Sequence, residues 1–273
     1  MEVTFLTDNY TDSRNILAEH GFSCLINFTD YNFLFDTGQT VSMKHNADIL
    51  GKPLKQLDAV FLSHGHYDHT GGLKYISDKN NKTYVYCSNK ITDDHRKKNT
   101  ENEYKYIGIE NQILKEQNLK FSYINDSIHL TPEMIFTHIN RYDDFDSDKN
   151  LYIKDGEKYL KDPFRDEMFL ILLESDGLTI ITGCSHRGIL NVIKTAVETT
   201  GINTIKNLIG GFHLLRSSED EITEIAEKIN SSNVEHIITG HCTGLNGLFL
   251  LKNICKSKIT PIKAGLTLTL NQP

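Results

Sequence analysis

The residues best suited to chemistry lie in one stretch, 63–72, with the sequence SHGHYDHTGG. His64 and His66 are two residues apart and point the same way on an extended segment. Asp68 and His69 are adjacent, so their side chains diverge and can serve a second ion. Imidazole nitrogens bind Zn, Fe, Mn or Co, and a carboxylate adds a hard, negative ligand. The stretch therefore predicts a metal-binding loop, whose tight backbone is permitted by three glycines: Gly65, Gly71 and Gly72.

Four apolar segments each run into a glycine or serine and then a histidine. Their sequences are AVFLSHGH, TIITGCSH, NLIGGFH and HIITGH. In open α/β sheets, ligand sites collect beyond the carboxyl ends of the strands. We therefore expect these segments to be strands that deliver their histidines to one place, and the histidines concerned are His64, His186, His213 and His241.

Other side chains near these strand ends are further candidates, each with an ordinary structural alternative. Asp36 follows a strand and is expected to accept the second N–H of a metal-bound histidine or to organise Asp68, although it also suits a turn cap. Cys184 is either a metal ligand or a buried, inert thiol. His213 is either a packed histidine or a group that contacts substrate or protonates the leaving group. Cys242 is expected to point away from the site.

The elements that position these residues alternate between strands and helices, which predicts an α/β protein with mixed sheets. A Ser218 cap with Glu221 three residues later predicts the start of one helix. Residues 88–166 are polar and read as an insertion or cap on a single domain, with short strands at 121–124 and 134–137 and a loop at 141–149. Strands are otherwise predicted at 3–6, 23–28, 32–35, 59–62, 84–87, 168–174, 178–182, 207–209, 236–239 and 266–270. Helices are predicted at 47–50, 72–76, 188–199, 219–229 and 248–255.

Composition limits the classes of protein to which the chain can belong. The 273 residues are 38% hydrophobic and 24% charged, which excludes a disordered chain or a coiled coil. A net charge of -7 gives no general attraction for nucleic acid or anionic lipid. Five cysteines, no secretory signal and no apolar run of about 20 residues favour a cytoplasmic protein without a membrane span. We expect a small-molecule substrate, and the oligomeric state stays open.

The H-x-H-x-D-H pattern after an apolar strand resembles the metallo-β-lactamase superfamily. The resemblance extends to FLFDTG at 33–38, TGCSHRGI at 182–189, GGFHL at 210–214 and TGHCTG at 239–244. These segments are similar to the branch of 7,8-dihydropterin-6-methyl-4-(β-D-ribofuranosyl)-aminobenzene-5′-phosphate synthase. The resemblance implies an αββα sandwich of two mixed β-sheets flanked by helices, with a one- or two-metal site at the edge where the sheets meet.

The resemblance also implies a ligand set for two divalent ions. One ion would be held by His64, His66 and His186, and the other by Asp68, His69 and His241. Cys184 occupies a strand end where many relatives have a bridging aspartate, and whether it ligates is left open. Zinc is the expected metal, with manganese or iron as alternatives, and a bridging thiolate would favour zinc over manganese.

The activity implied is that of a metal-dependent hydrolase that uses a metal-bound hydroxide. Asp68 would orient the hydroxide, and His213 would assist the leaving group. A phosphorylated small molecule of the phosphodiester or pyrophosphate type is the expected substrate. The alternatives are a synthase that condenses a pterin diphosphate with a ribosyl-aminobenzene phosphate, a lactonase, and a non-catalytic protein that binds a small molecule through its metals.

Overall fold

The computed structural model describes residues 1–28, 30–52, 54–76, 82–101, 103–140 and 150–270. Its strands are β1 Glu2–Thr7, β2 Ser23–Phe28, β3 Tyr31–Phe35, β4 Ala59–Phe61, β5 Thr83–Ser88, β6 His95–Thr100, β7 Glu103–Tyr106, β8 Leu119–Ile124, β9 Ser127–Thr131, β10 Met134–His138, β11 Leu151–Asp155, β12 Lys158–Lys161, β13 Met168–Glu174, β14 Gly177–Ile181, β15 Ile205–Gly210, β16 Val234–Thr239, β17 Lys258–Pro261 and β18 Thr267–Thr269. Its α-helices are α1 Ser42–Ile49, α2 Tyr67–Thr70, α3 Ile189–Thr200, α4 Glu219–Asn230 and α5 Gly244–Ile254. Short 3-10 helices occupy Leu54–Gln56, Gly71–Tyr75, Ile113–Lys115 and His241–Thr243.

The chain forms two compact units, and the first contains residues 1–125, 149–166 and 263–271. Its large sheet has the order β18-β1-β2-β3-β4-β5-β8. The strands from β18 to β3 pair antiparallel, and those from β3 to β8 pair parallel. Met43 and Ala47 of α1 are fully buried in a core with Leu34 of β3 and Val60 of β4. Burial of these apolar side chains holds the helix on the sheet and leaves the strand ends to carry the polar loops.

A smaller sheet in the first unit has the order β12-β11-β6-β7 and is antiparallel throughout. Its strands carry few apolar side chains. Instead, Tyr104 stacks on Tyr159 with ring centroids 3.8 Å apart, and the Lys161 ammonium lies 4.7 Å from the Tyr152 ring centroid. The Lys161–Tyr152 pair joins neighbouring strands, and the Tyr104–Tyr159 pair joins the two edge strands, β7 and β12. Such contacts stabilise an exposed sheet without alternating apolar burial.

The second unit contains residues 126–148, 167–262 and 272–273. Its sheet has the order β17-β16-β15-β14-β13-β10-β9, with β14 to β17 parallel and the remainder antiparallel. The apolar faces of α3, α4 and α5 lie in one core with this sheet. Ser218 caps α4 and Glu221 completes the capping box, as predicted.

The structure agrees with most of the predicted elements and extends several of them. Residues 88–166 contain the strands of the small sheet, but β8 pairs with β5 and β10 pairs with β13, so this stretch also contributes strands to the large sheets. The predicted loop at 141–149 lies outside the described residues. The prediction that residues 88–166 form an insertion or cap on a single domain stays a prediction. No helix in the described ranges is both long and apolar enough to cross a membrane.

Candidate metal centre

The histidine loop begins where β4 ends, beside the end of the parallel strand β3. Asp36, the first residue after β3, donates its backbone N–H to Phe61 of β4 over 2.8 Å. The next backbone N–H, that of Thr37, donates to the carbonyl of His69 over 2.7 Å. The parallel register therefore places the Asp36 turn against the loop that follows the neighbouring strand.

Asp36 fixes the orientation and the tautomer of two histidines. Its Oδ2 accepts from the Ser63 hydroxyl at 2.7 Å and lies 2.6 Å from His69 Nδ1. Because the Ser63 hydroxyl donates its one hydrogen to Asp36, it accepts from His64 Nδ1, which is 2.8 Å away. Both His64 and His69 therefore carry hydrogen on Nδ1 and present a lone pair on Nε2, the form that binds a metal.

His66 presents its own nitrogen to the same place as His64. His64 Nε2 and His66 Nδ1 are 3.0 Å apart, and both residues are buried. Two nitrogen ligands of a tetrahedral zinc, each about 2.1 Å from the ion, lie about 3.4 Å apart. The donor set and its convergence therefore fit a divalent ion after a small outward adjustment of the two rings.

Burial keeps these two imidazoles neutral. It lowers the pKa of His66 to about 3 and lowers the pKa of His64 well below its ordinary value. The neighbouring histidines add to this effect, because a positive charge on one opposes a second positive charge nearby. Neutral imidazole is the form that ligates a metal, so the environment favours binding near neutral pH.

Asp68 and His69 supply a second set of ligand atoms in the same loop. Asp68 Oδ2 lies 3.7 Å from His69 Nε2, the nitrogen that Asp36 leaves with a lone pair. His20 Nε2 lies 3.2 Å from the same carboxylate oxygen, a contact that the sequence did not indicate. The structure thus brings together Asp36 and the four predicted loop residues, and it adds His20.

His95, a buried residue behind the histidine loop, was also not identified from the sequence. His95 lies 5.1 Å from the His66 ring, centroid to centroid, and is held between Asp162 and Asp166. Burial lowers the pKa of His95, but the two carboxylates outweigh it, so the net shift is well upward. Nothing in the local sequence around His95 indicates this environment, because its partners lie far along the chain.

In the second unit, the predicted site residues follow the parallel strands β14, β15 and β16. Cys184 Sγ lies 3.4 Å from His241 Nε2, and the rings of His186 and His213 have centroids 4.2 Å apart. The structure therefore brings all four predicted residues of this unit together in two contacting pairs.

Cys242 joins this group. Its Sγ lies 3.5 Å from the Cys184 carbonyl, and ligand atoms of Cys184, His213 and Cys242 all lie within 4.8 Å of one another. This corrects the expectation that Cys242 points away from the site. Burial raises the pKa of its thiol, but interactions with Cys184, His241 and His213 outweigh burial and hold that pKa well below its ordinary value.

Glu167 positions the backbone of the His186 segment. Its two carboxylate oxygens accept the backbone N–H groups of His186 at 2.7 Å and Arg187 at 2.8 Å. The Arg187 side chain donates to the Ile139 carbonyl at 2.5 Å. Glu167 is fully buried and was not identified from the sequence, where it is one acid in a strand-flanking turn.

Several residues at these strand ends adopt left-handed backbone conformations. The φ angles are 55° at Asp36, 58° at Ser185, 51° at His213 and 47° at His241. Non-glycine residues rarely adopt such angles, and they persist where the surrounding structure enforces them. Here these four residues form the turns that follow β3, β14, β15 and β16.

Comparison with known proteins gives similarity along almost the whole chain. Residues 18–113 match the sequence profile of the metallo-beta-lactamase superfamily. An uncharacterized protein of Methanocaldococcus jannaschii is 33% identical over 260 residues, which are 92% of this chain and 94% of that protein. The 7,8-dihydropterin-6-methyl-4-(beta-D-ribofuranosyl)-aminobenzene-5'-phosphate synthase of the same organism is 31% identical over 267 residues, which are 91% of this chain and 89% of the synthase. A crystal structure of a metal-dependent hydrolase of the beta-lactamase superfamily matches with a TM-score of 0.88 at 32% identity over 99% of both chains.

Proposed function

The chain belongs to the metallo-beta-lactamase superfamily, and on that premise we propose that it is a metal-dependent hydrolase of a phosphorylated small molecule. The superfamily fold of mixed sheets and helices, predicted from the sequence, is confirmed. The observation that carries the proposal is the convergence of His64 Nε2 and His66 Nδ1, both buried and neutral, in the loop that also holds Asp68 and His69.

The proposed ion ligands are those that the sequence predicts. His64, His66 and His186 form one set; Asp68, His69 and His241 form the other, and Cys184 stays an additional candidate. Divalent ions, with zinc as the proposed metal, would lower the pKa of water toward neutrality and stabilise negative charge that develops on the substrate.

The protein side chains have separate tasks in this proposal. Asp36 keeps hydrogen on Nδ1 of His64 and His69, so that each presents Nε2. Asp68 orients the nucleophile through its carboxylate. His213, half-buried beside His186, holds a proton for the leaving group.

A broad activity panel tests the hydrolase proposal. Protein loaded with zinc, and separately with manganese or iron, would be incubated with phosphodiesters, pyrophosphates and phosphomonoesters. We expect turnover of at least one class, and loss of that turnover in His66→Ala. Absence of hydrolysis with every metal and class would contradict the proposal. His129→Gln, which changes an exposed histidine on β9, is the control that should keep full activity.

A synthase is the second candidate, favoured by the 31% identity to the M. jannaschii enzyme. In that case the chain would join a pterin diphosphate to a ribosyl-aminobenzene phosphate and release pyrophosphate. Incubation with both co-substrates, followed by mass analysis, separates the two reactions. A coupled product favours the synthase, whereas pterin released without coupling favours the hydrolase. Tight binding of an unchanged ligand would favour the non-catalytic alternative.

A further inference from the structure

His95 is buried behind the histidine loop with a carboxylate at each ring nitrogen. Its Nδ1 lies 2.7 Å from Asp162 Oδ2, and its Nε2 lies 3.2 Å from Asp166 Oδ2. All three side chains are almost completely buried. Asp162 forms the hydrogen bond at Nδ1, and Asp166 lies within ion-pair distance of Nε2, so the imidazole is placed between two carboxylates.

Asp166 connects this group to the backbone between two proposed ligands. Its Oδ2 accepts the backbone N–H of Gly65 at 2.7 Å, and Gly65 separates His64 from His66. On its other side, Gly65 has no room for a side chain. A Cβ placed there would lie 2.4 Å from the Ile91 carbonyl oxygen and 3.1 Å from the His95 ring. The Gly65 residue is therefore held by a hydrogen bond and by direct contact.

We propose that His95 and Asp166 are positioning residues for metal binding, which fix the Gly65 peptide so that His64 and His66 converge on one ion. The inference rests on the proposed function only in taking His64 and His66 as ligands. His95 holds Asp166 in place and is itself held by Asp162, whose other oxygen accepts the Phe164 backbone N–H at 2.7 Å. The group therefore anchors the loop to the 162–166 segment, about 100 residues away in sequence.

Packing alone does not require charged side chains at the positions of Asp162 and Asp166. A buried carboxylate is costly, and an apolar side chain would fill the same space at lower cost. An oxygen of Asp166, however, accepts the Gly65 peptide N–H, which an apolar side chain cannot do. Outer groups that orient metal ligands typically change metal affinity by about 10–100-fold when they are removed.

Two substitutions of Asp166 separate positioning from charge. Asp166→Ala removes the acceptor for the Gly65 N–H. Asp166→Asn keeps an oxygen acceptor toward Gly65 and His95, and its amide nitrogen takes the place of Oδ1, which has no hydrogen-bond partner among the described residues. Zinc dissociation constants would be measured by chelator competition, with the visible spectrum of the cobalt-loaded protein as a second readout. Glu174→Ala, which removes a buried acid of β13 bonded to Thr179, is the matched control.

We expect Asp166→Ala to raise the dissociation constant of one ion about 10–100-fold and to alter its cobalt spectrum. Asp166→Asn should stay close to the wild-type protein, as should Glu174→Ala, even if that control lowers the melting temperature. An unchanged dissociation constant in Asp166→Ala would overturn the inference, and so would equal losses in Asp166→Ala and Asp166→Asn.

His95→Gln tests the same point if Asp166→Ala does not fold, because glutamine cannot hold both carboxylates in the same geometry. We expect a weaker affinity for one ion, and an unchanged affinity would overturn the inference. Wild-type protein that binds zinc but hydrolyses nothing would contradict the proposed function while leaving this inference intact. Wild-type protein that binds no zinc would overturn the inference itself.

Discussion

A single carboxylate, that of Asp36, sets the tautomer and the orientation of two proposed metal ligands, His64 and His69. It bonds to His69 directly and to His64 through Ser63, so that both rings present Nε2. We predict that Asp36→Ala weakens zinc binding about 10–100-fold, because the rings lose both tautomer and orientation. Chelator competition measures the change. Asp58→Asn, which alters a carboxylate that accepts the Asn32 N–H on the same sheet, should bind zinc normally. Equal affinities in Asp36→Ala and wild type would contradict the assignment.

Burial of neutral His66 predicts how the metal-free protein responds to pH. Its folded pKa of about 3 lies below the ordinary value of 6.5, so between these values the unfolded chain binds a proton that the folded chain does not. Stability therefore falls as pH drops below 6.5, by about 2 kcal/mol at pH 5 for this group.

Urea unfolding of metal-free protein at pH 7 and pH 5 measures the effect. The fall in unfolding free energy should be smaller in His66→Gln than in wild type, and His129→Gln should behave like wild type. His64 contributes in the same direction as His66, whereas His95 contributes in the opposite direction because its pKa is raised. Comparing the variant with wild type isolates His66, and equal falls in both would refute the prediction.

The sequence predicted some of these residues and not others for a physical reason. Asp36 was identifiable because it follows a strand and because bound histidines need an acceptor for their second N–H. His95 was not identifiable, since Asp162 lies 67 positions away from it. Asp166 bonds to Gly65 across 101 positions. Such contacts exist only once the chain has folded.

At the scale of elements, the 3-10 helix Gly71–Tyr75 packs directly on the turn after β3. A Cβ at Gly72 would lie 2.0 Å from the Thr37 carbonyl oxygen, which is backbone and cannot move aside alone. We predict that Gly72→Ala destabilises the protein by about 3 kcal/mol and weakens zinc binding, because the Thr37 turn also bonds to His69. Denaturant unfolding and metal titration measure both effects.

Gly247→Ala is the matched control for Gly72→Ala. It also lies in a helix, but a Cβ there would meet only side-chain atoms, the nearest of them 3.2 Å away. Alanine favours helix over glycine by about 1 kcal/mol, which offsets the tight contact. Stability within about 1 kcal/mol of wild type and normal zinc affinity are expected. A Gly72→Ala variant as stable as this control would show that the turn and the helix are not tightly packed.

Some strands can be predicted from the pattern of apolar residues in the sequence, and others cannot. β2 spans Ser23–Phe28, the range predicted, because its short, mostly apolar run is almost entirely buried in the sheet. The small sheet was missed, since β6 reads HRKKNT and β12 reads KYLK. Such strands are stabilised by tyrosine and lysine pairs across the sheet, and these pairs leave no apolar period in the sequence.

For the whole molecule, the number of bound ions decides between the proposed arrangements. Protein purified without chelator or added metal should contain two equivalents of a divalent metal, zinc above manganese or iron, by elemental analysis. We expect His66→Ala and His186→Ala each to lose one equivalent, and His69→Ala and His241→Ala to lose the other, because we propose that these pairs bind different ions. His129→Gln should retain both.

Each count of ions carries a different consequence. One equivalent in wild type would favour a single-ion site and contradict the assignment of Asp68, His69 and His241. Absence of metal after reconstitution would refute the metal-dependent proposal altogether. The imidazoles of His64 and His66 would then not form an ion-binding site. Two equivalents in wild type, lost from the variants as predicted, but without turnover of any substrate, would favour a non-catalytic protein that binds a small molecule. Because a bound ion stabilises the folded chain by mass action, the melting temperature should rise with free zinc in wild type and rise less in His66→Ala.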